Sequence, residues 1–211
     1  MATPGRNLND VVTRFWTVAA PLYDLPILQR WVYRPAQDEV ITALRTHGAR
    51  RIADIACGTG ILAARIEAEL DTDEVYGVDM SDGMLRAAQA RSPQVHWLKG
   101  PAEQLPFDDG VLDAVVSTSA FHFFDQPAAM REFHRVLRPG GLAAVATISP
   151  PTPPLVSRLT TPLSSAAHNP SPTQMRTLFA DAGFTLGDQH RVHRPLWTKA
   201  VWDLITIGTK P

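Results

Sequence analysis

Ile52-Ala53-Asp54-Ile55-Ala56-Cys57-Gly58-Thr59-Gly60, followed by Val75-Tyr76-Gly77-Val78-Asp79, is the stretch on which the fold turns. An apolar strand delivers a glycine turn, a helix follows, and a second strand ends on an acid. Glycines let the backbone approach a ligand closely at the tip of the first strand. An acid roughly 20 residues on, at the tip of the second strand, accepts hydrogen bonds from both hydroxyls of a ribose. This is half of a nucleotide-binding crevice, and it predicts an adenosine-containing cofactor.

Outward from this stretch, strand and helix alternate from Arg51, which implies right-handed crossovers and a parallel sheet. Strand one is expected over Arg51 to Ala56, with a helix from about Gly60 to Leu70. Strand two covers Val75 to Asp79, and Ser81 caps a helix running to about Ala90. Strand three spans Val95 to Lys99 and strand four Ala114 to Thr118. Pro127 starts a helix that reaches Leu137, and Arg138-Pro139-Gly140-Gly141 is a turn feeding strand five, Leu142 to Ile148. Ser171-Pro172-Thr173-Gln174 is a capping box with proline at the first helical position, and its helix ends at Gly183. Strands near Thr185 to His193 and Thr198 to Thr209 follow, joined by a link too short for a helical crossover, so they pair antiparallel.

On the N-terminal side, Leu28, Trp31 and Val32 fall at helical spacing, and Pro35 opens a helix carrying Val40, Ile41 and Leu44 on one face. The fold class is α/β: a doubly wound, Rossmann-like sheet of seven strands, mostly parallel with an antiparallel C-terminal strand. Residues 1–211 read as one domain, with a helical cap over 1–48 and a cofactor-binding core over 49–148. A proline-, serine- and threonine-rich lid loop over 149–172 precedes the helix and strand pair of 173–211.

The chain has 211 residues, a net charge of -1 and a hydrophobic fraction of 45%, enough for one core of that design. Near-neutral charge argues against nucleic acid as a partner, because phosphate neutralisation needs a basic face. The single cysteine, Cys57, has no internal partner, which fits a reducing compartment. Met1 to Asp10 has no apolar core of signal-peptide length, and no stretch approaches a membrane span. The expectation is a soluble cytoplasmic protein whose oligomeric state the sequence leaves open.

Gly58-x-Gly60-x-x-Ala63 also satisfies the loose dinucleotide fingerprint, so the loop alone leaves NAD open. Three features favour S-adenosylmethionine. Asp54 lies close to the loop, where a pyrophosphate would be repelled but an ammonium and a sulfonium would be attracted. The closing antiparallel pair is unusual for a dinucleotide domain. The third is Gly100-Pro101-Ala102-Glu103-Gln104-Leu105-Pro106-Phe107.

Together with Asp54 to Gly60, Asp79-Met80-Ser81 and Leu137 to Gly141, that segment resembles the class I S-adenosylmethionine-dependent methyltransferases. The likeness is to the group holding ubiquinone/menaquinone-biosynthesis C-methyltransferases and many small-molecule methyltransferases, and it covers about Tyr23 to Gly183. The resemblance implies that Ala56, Cys57, Gly58 and Gly60 line the methionine and ribose portion, with Asp54 beneath them. It implies that Asp79 holds the ribose hydroxyls, Met80 packs on the adenine face, and the Ala102 amide meets an adenine nitrogen. It implies that Ser117 lies beside the methionine part and that Tyr23 closes over the carboxylate; Glu103 reads either as a contact in the cofactor region or as a helix-start acid. Two positions depart from the family pattern: Ala56 stands where glycine is usual, and Pro101 where an acid is usual.

The implied activity is methyl transfer to a small apolar or aromatic acceptor at carbon, oxygen or nitrogen. The alternatives are an NAD-dependent oxidoreductase, a non-catalytic cofactor-binding module, or a tRNA methyltransferase. His122, in Ser119-Ala120-Phe121-His122-Phe123, is the candidate general base, against a plain pocket-shaping role. His168 is the second choice. The aromatics Trp16, Trp31 and Tyr33 line an apolar acceptor pocket or simply fill core. Arg191-Val192-His193-Arg194 with Trp197 and Lys199 is the one stretch suited to RNA. No Asp/His grouping has metal-ligand spacing along the chain, so no metal is expected.

Overall fold

In the computed structural model, which describes residues 29–150, 169–194 and 201–211, the glycine turn joins a buried strand to a short helix. β1 (Arg51–Ile55) is buried from Ile52 onward and sends apolar side chains to both faces of the sheet. Before it, a single π-helical turn (Gln29–Tyr33) leads into α1 (Arg34–His47). After it come α2 (Ile61–Glu69), β2 (Glu74–Asp79), α3 (Asp82–Arg91), β3 (His96–Lys99) and β4 (Leu112–Thr118). A 3-10 turn (Phe121–Phe123), α4 (Gln126–Val136), β5 (Leu137–Ile148), α5 (Pro172–Asp181), β6 (Thr185–Arg191) and β7 (Asp203–Thr209) complete the order.

The strands form one seven-stranded sheet in the order β3-β2-β1-β4-β5-β7-β6. β1 pairs in parallel with β2 and β4, and β4 with β5. β7 runs antiparallel to both of its neighbours, β5 and β6. Strand order reverses direction between β1 and β4, so the crevice for a ligand opens above their carboxyl ends. One face of the sheet packs Phe133 of α4 and Phe179 of α5, and the other packs Leu44 of α1 and Ile66 of α2.

Local signals explain most element ends. Gly48 closes α1 in the left-handed region at φ +73, and the Ser81 hydroxyl accepts from the Met84 amide to start α3. Ser171 and Gln174 form the reciprocal capping box expected of them. One expectation changes. Arg138 to Gly141 lies inside β5: pairing jumps from Leu112 opposite Leu137 to Ala114 opposite Leu142. The sequence Pro-Gly-Gly, with Gly140 at φ +78, makes a bulge in the strand where a turn was expected.

Gly77 of β2 and Gly60 before α2 share a neighbour that linear reading passes over. A Cβ on Gly60 would lie 2.4 Å from Cη2 of Trp97, and one on Gly77 would lie 2.2 Å from its Cζ3. The indole is held in place because its Nε1 donates to the Ser92 carbonyl at 2.9 Å. Gly77→Ala is expected to destabilise the protein by about 1–3 kcal/mol through overpacking. Urea unfolding checks this, and Trp97→Leu in the same chain should recover part of the loss. Equal losses in both backgrounds would remove Trp97 as the obstacle.

Candidate cofactor site

The turn after β1 is shaped by three consecutive constraints. Ala56, Gly58 and Gly60 take φ values of +55, +56 and +76. The Cys57 amide donates to the Val78 carbonyl at 3.1 Å, and its own carbonyl accepts from the Gly60 amide at 3.0 Å. The loop is thus pinned to β2 while its glycines bend it. Ala56 occupies a left-handed conformation that costs an L-residue with a Cβ roughly 1–2 kcal/mol. Ala56→Gly should therefore stabilise the chain by about 1 kcal/mol, net of glycine's extra unfolded-state freedom. A denaturant midpoint that falls would show that the loop is not strained there.

Asp79 ends β2 directly beside this turn. Its Oδ2 accepts from the Gly58 amide at 2.9 Å and its Oδ1 from the Ser81 amide at 2.8 Å. A carboxylate has about four lone-pair sites, so these bonds orient it and leave acceptor capacity for a diol. Burial raises the Asp79 pKa, while the amides of Ser81, Gly58 and Met80 oppose the shift. Met80, next along, leaves 37% of its surface exposed.

Asp54 is buried beneath the loop. Burial first, and the charge of Asp79 second, push its carboxyl well above the ordinary range, against one hydrogen bond from the Ala63 amide. Among the described residues no cation pairs with these two acids, so the site is suited to a positively charged ligand. A pyrophosphate fits these charges poorly. The same surroundings push the Cys57 thiol up, through burial and then the charges of Asp54 and Asp79. A protonated, half-buried thiol packs and does not act as a nucleophile.

Ser117 at the end of β4 is fully buried with its Oγ unpartnered, and so is Thr147 two positions further along the same face of β5. His122 in the 3-10 turn is also buried, with Nδ1 unpartnered and its ring 4.0 Å from that of Phe123. Burial lowers the His122 pKa, so the imidazole is neutral at pH 7. Ser149 adds a further unpartnered buried hydroxyl. Buried polar atoms without partners are rare, and a cluster at strand ends marks where a ligand or water would bond. The polar Thr147-x-Ser149 tail of an otherwise apolar stretch is the sequence signal for Thr147 and Ser149.

The remaining candidate residues are placed as follows. Ala102 is buried in the core beside the crevice. Glu103 accepts from the Asp125 amide at 2.8 Å, so it anchors the start of α4. Arg194 is buried against Asp203 and donates to the carbonyls of Trp31 and Val32. Arg191 donates to the carbonyls of Ser149 and Trp202. These two arginines tie the N-terminal segment and strand ends together, so the stretch does not present them as a basic face. Tyr23, Trp16, His168, Trp197, Lys199 and most of the lid loop lie outside the described residues. Among the described residues, no helix is long and apolar enough to cross a membrane.

Comparison with known proteins agrees with the fold. A family model described as a methyltransferase domain matches residues 53–145. A ubiquinone/menaquinone biosynthesis C-methyltransferase of Syntrophotalea carbinolica is 34% identical over 163 residues, 74% of this chain and 67% of that protein. A demethylmenaquinone methyltransferase of Chlorobaculum tepidum is 36% identical over 141 residues, 66% of this chain but 57% of its relative. The chain thus spans 57% of the length of one of these curated relatives and 67% of the other. A magnesium protoporphyrin IX methyltransferase of Synechocystis, solved with bound SAH, superposes with a TM-score of 0.73 at 16% identity. That alignment covers 96% of this chain and 100% of the other, and it speaks for the fold alone.

Proposed function

The chain belongs to the methyltransferase-domain family that includes these quinone-biosynthesis enzymes, and from that premise we propose that it transfers a methyl group from S-adenosylmethionine to a small aromatic acceptor of quinone type. The observation that carries this reading is the paired burial of Asp54 and Asp79 around the glycine turn. A cationic cofactor with a ribose satisfies both acids; a dinucleotide satisfies one and repels the other. S-adenosylmethionine supplies the electrophilic methyl on a sulfonium, and the protein supplies alignment and a dry crevice.

Asp79 receives the ribose hydroxyls, with Gly58 and Ser81 holding its carboxylate in place. Asp54 compensates positive charge at the amino-acid end. Ser117 and Thr147 offer hydroxyls at the carboxyl ends of β4 and β5, where the acceptor enters. His122, neutral and buried, takes the proton that an acceptor hydroxyl or ring carbon must lose. His122→Ala is expected to lower turnover about 100-fold with cofactor affinity unchanged. An unaltered rate would reduce His122 to pocket lining.

The test is calorimetric titration with S-adenosylhomocysteine, NAD and NADH, followed by mass spectrometry of reduced demethylmenaquinone analogues incubated with S-adenosylmethionine. Micromolar binding of S-adenosylhomocysteine alone and a product one methyl heavier are expected. Binding of a nicotinamide alone would overturn the cofactor assignment. Cofactor binding without turnover across quinols, phenols and amines would favour a non-catalytic binding module.

A further inference from the structure

We propose that Glu39, His190 and His193 form a divalent transition-metal site, of zinc type, that clips α1 to the C-terminal end of β6. It lies outside the cofactor crevice, does not depend on the proposed methyl transfer, and runs against the metal-free expectation drawn from linear spacing. Glu39 sits midway along α1, whereas His190 is in β6 and His193 just beyond it. Folding brings one donor atom from each to within 4.8 Å of the others. Glu39 Oε2 lies 2.5 Å from His190 Nε2, and Glu39 Oε1 lies 3.2 Å from His193 Nδ1.

A tetrahedral zinc ion with bonds of about 2.0–2.1 Å spaces its ligand atoms about 3.3 Å apart. The His193 to Glu39 spacing already meets that value, and the His190 contact needs to open by less than about 1 Å. Two imidazoles and one carboxylate are a borderline donor set, which favours zinc, cobalt or nickel over the all-oxygen preference of magnesium and calcium.

The surroundings are built for the purpose. Asp188 Oδ2 lies 2.9 Å from His190 Nδ1, placed to accept a hydrogen bond from Nδ1–H when Nε2 binds an ion. The backbone amide of His193 donates to Glu39 Oε1 at 2.8 Å, so the carboxylate is held from a second direction. A groove of about 630 Å³, lined also by Thr42, His47, Leu142 and Ile207, opens onto the cluster and admits an ion and its fourth, water ligand. Coordination replaces the proton shared between His190 Nε2 and Glu39 Oε2 with the ion, and that proton leaves to solvent. An ion bound by the folded state alone stabilises it, and here it joins segments 151 residues apart.

The experiment titrates chelator-treated full-length protein with Zn²⁺ by calorimetry and with Co²⁺ by visible absorption, and neither readout involves methyl transfer. One ion per chain at micromolar or tighter affinity is expected, with an intense four-coordinate Co²⁺ band and a Tm that rises with Zn²⁺. Glu39→Gln and His190→Ala should each weaken binding at least 10-fold. His193→Ala should do the same and is the control for folding, because the His193 side chain is 89% exposed. No binding by the unaltered chain would overturn the site and leave a hydrogen-bonded cluster. Binding that survives all three substitutions would place the ion elsewhere. Either failure leaves the cofactor crevice untouched, since Asp79 and Asp54 belong to other elements.

Discussion

Asp79→Ala is expected to weaken S-adenosylhomocysteine binding by on the order of 2–4 kcal/mol, about 30- to 700-fold. Two losses add. The ribose loses a charged acceptor for its hydroxyls, worth about 1.5–3 kcal/mol after water replaces part of the interaction. The amides of Gly58 and Ser81 also lose their acceptor, so the turn that should meet the ligand is no longer tied to β2. Asp79→Asn separates the two effects, since one amide oxygen still accepts from the backbone while its NH₂ faces a donor. It should bind more weakly than the unaltered chain and more tightly than Asp79→Ala. Titration calorimetry reads all three, and an unchanged dissociation constant in the alanine variant would sink the ribose assignment.

Asp54→Asn is expected to stabilise the unliganded protein while impairing cofactor binding. Its carboxyl is raised by burial and by Asp79, so the folded state holds that proton more tightly than the unfolded chain does. For a carboxyl raised on folding, stability is highest in acid. It is lost as pH climbs from the unfolded value, near 3.8, through the folded one. An asparagine does not titrate, and its oxygen still accepts from the Ala63 amide. The variant should therefore match the original in acid and exceed it by about 1–2 kcal/mol at pH 8, roughly 2–8 °C in Tm. Cofactor affinity should fall at least 10-fold, because the compensating charge is gone. In the unaltered chain, the bound cation lowers the Asp54 pKa, so binding should release a proton and weaken as pH drops. Calorimetry in buffers of different ionisation enthalpy measures that proton. A variant less stable at pH 8 would show that Asp54 is satisfied in the unliganded fold.

Both expectations begin in residues visible along the chain, but their magnitudes come from burial. That Asp54 and Asp79 belong to one site follows from the glycine turn and the spacing of the two strands. That Asp79 raises the protonation of Asp54 follows only from their shared enclosure, since exposed carboxylates at the same positions would be screened by water. Glu103 illustrates the converse. Along the chain it reads equally as a cofactor contact or a helix-start acid, and only the fold shows its carboxylate accepting from the Asp125 amide at the start of α4. The Arg138 to Gly141 segment shows the same limit at the level of an element. Its residues signal a chain reversal, and pairing with Leu112 instead draws them into the sheet as a bulge.

The sequence by itself determined the alternation of strand and helix, the reversed final strand and the position of the glycine turn. Each of these rests on short-range causes: periodicity within one element, caps at its ends, and links too short to cross over. Only the tertiary structure decided that Trp97 lies over Gly60 and Gly77, that Arg194 is buried against Asp203, and that Glu39 meets two histidines. Those contacts depend on which faces of distant elements the packed core presses together, and no local period encodes that choice.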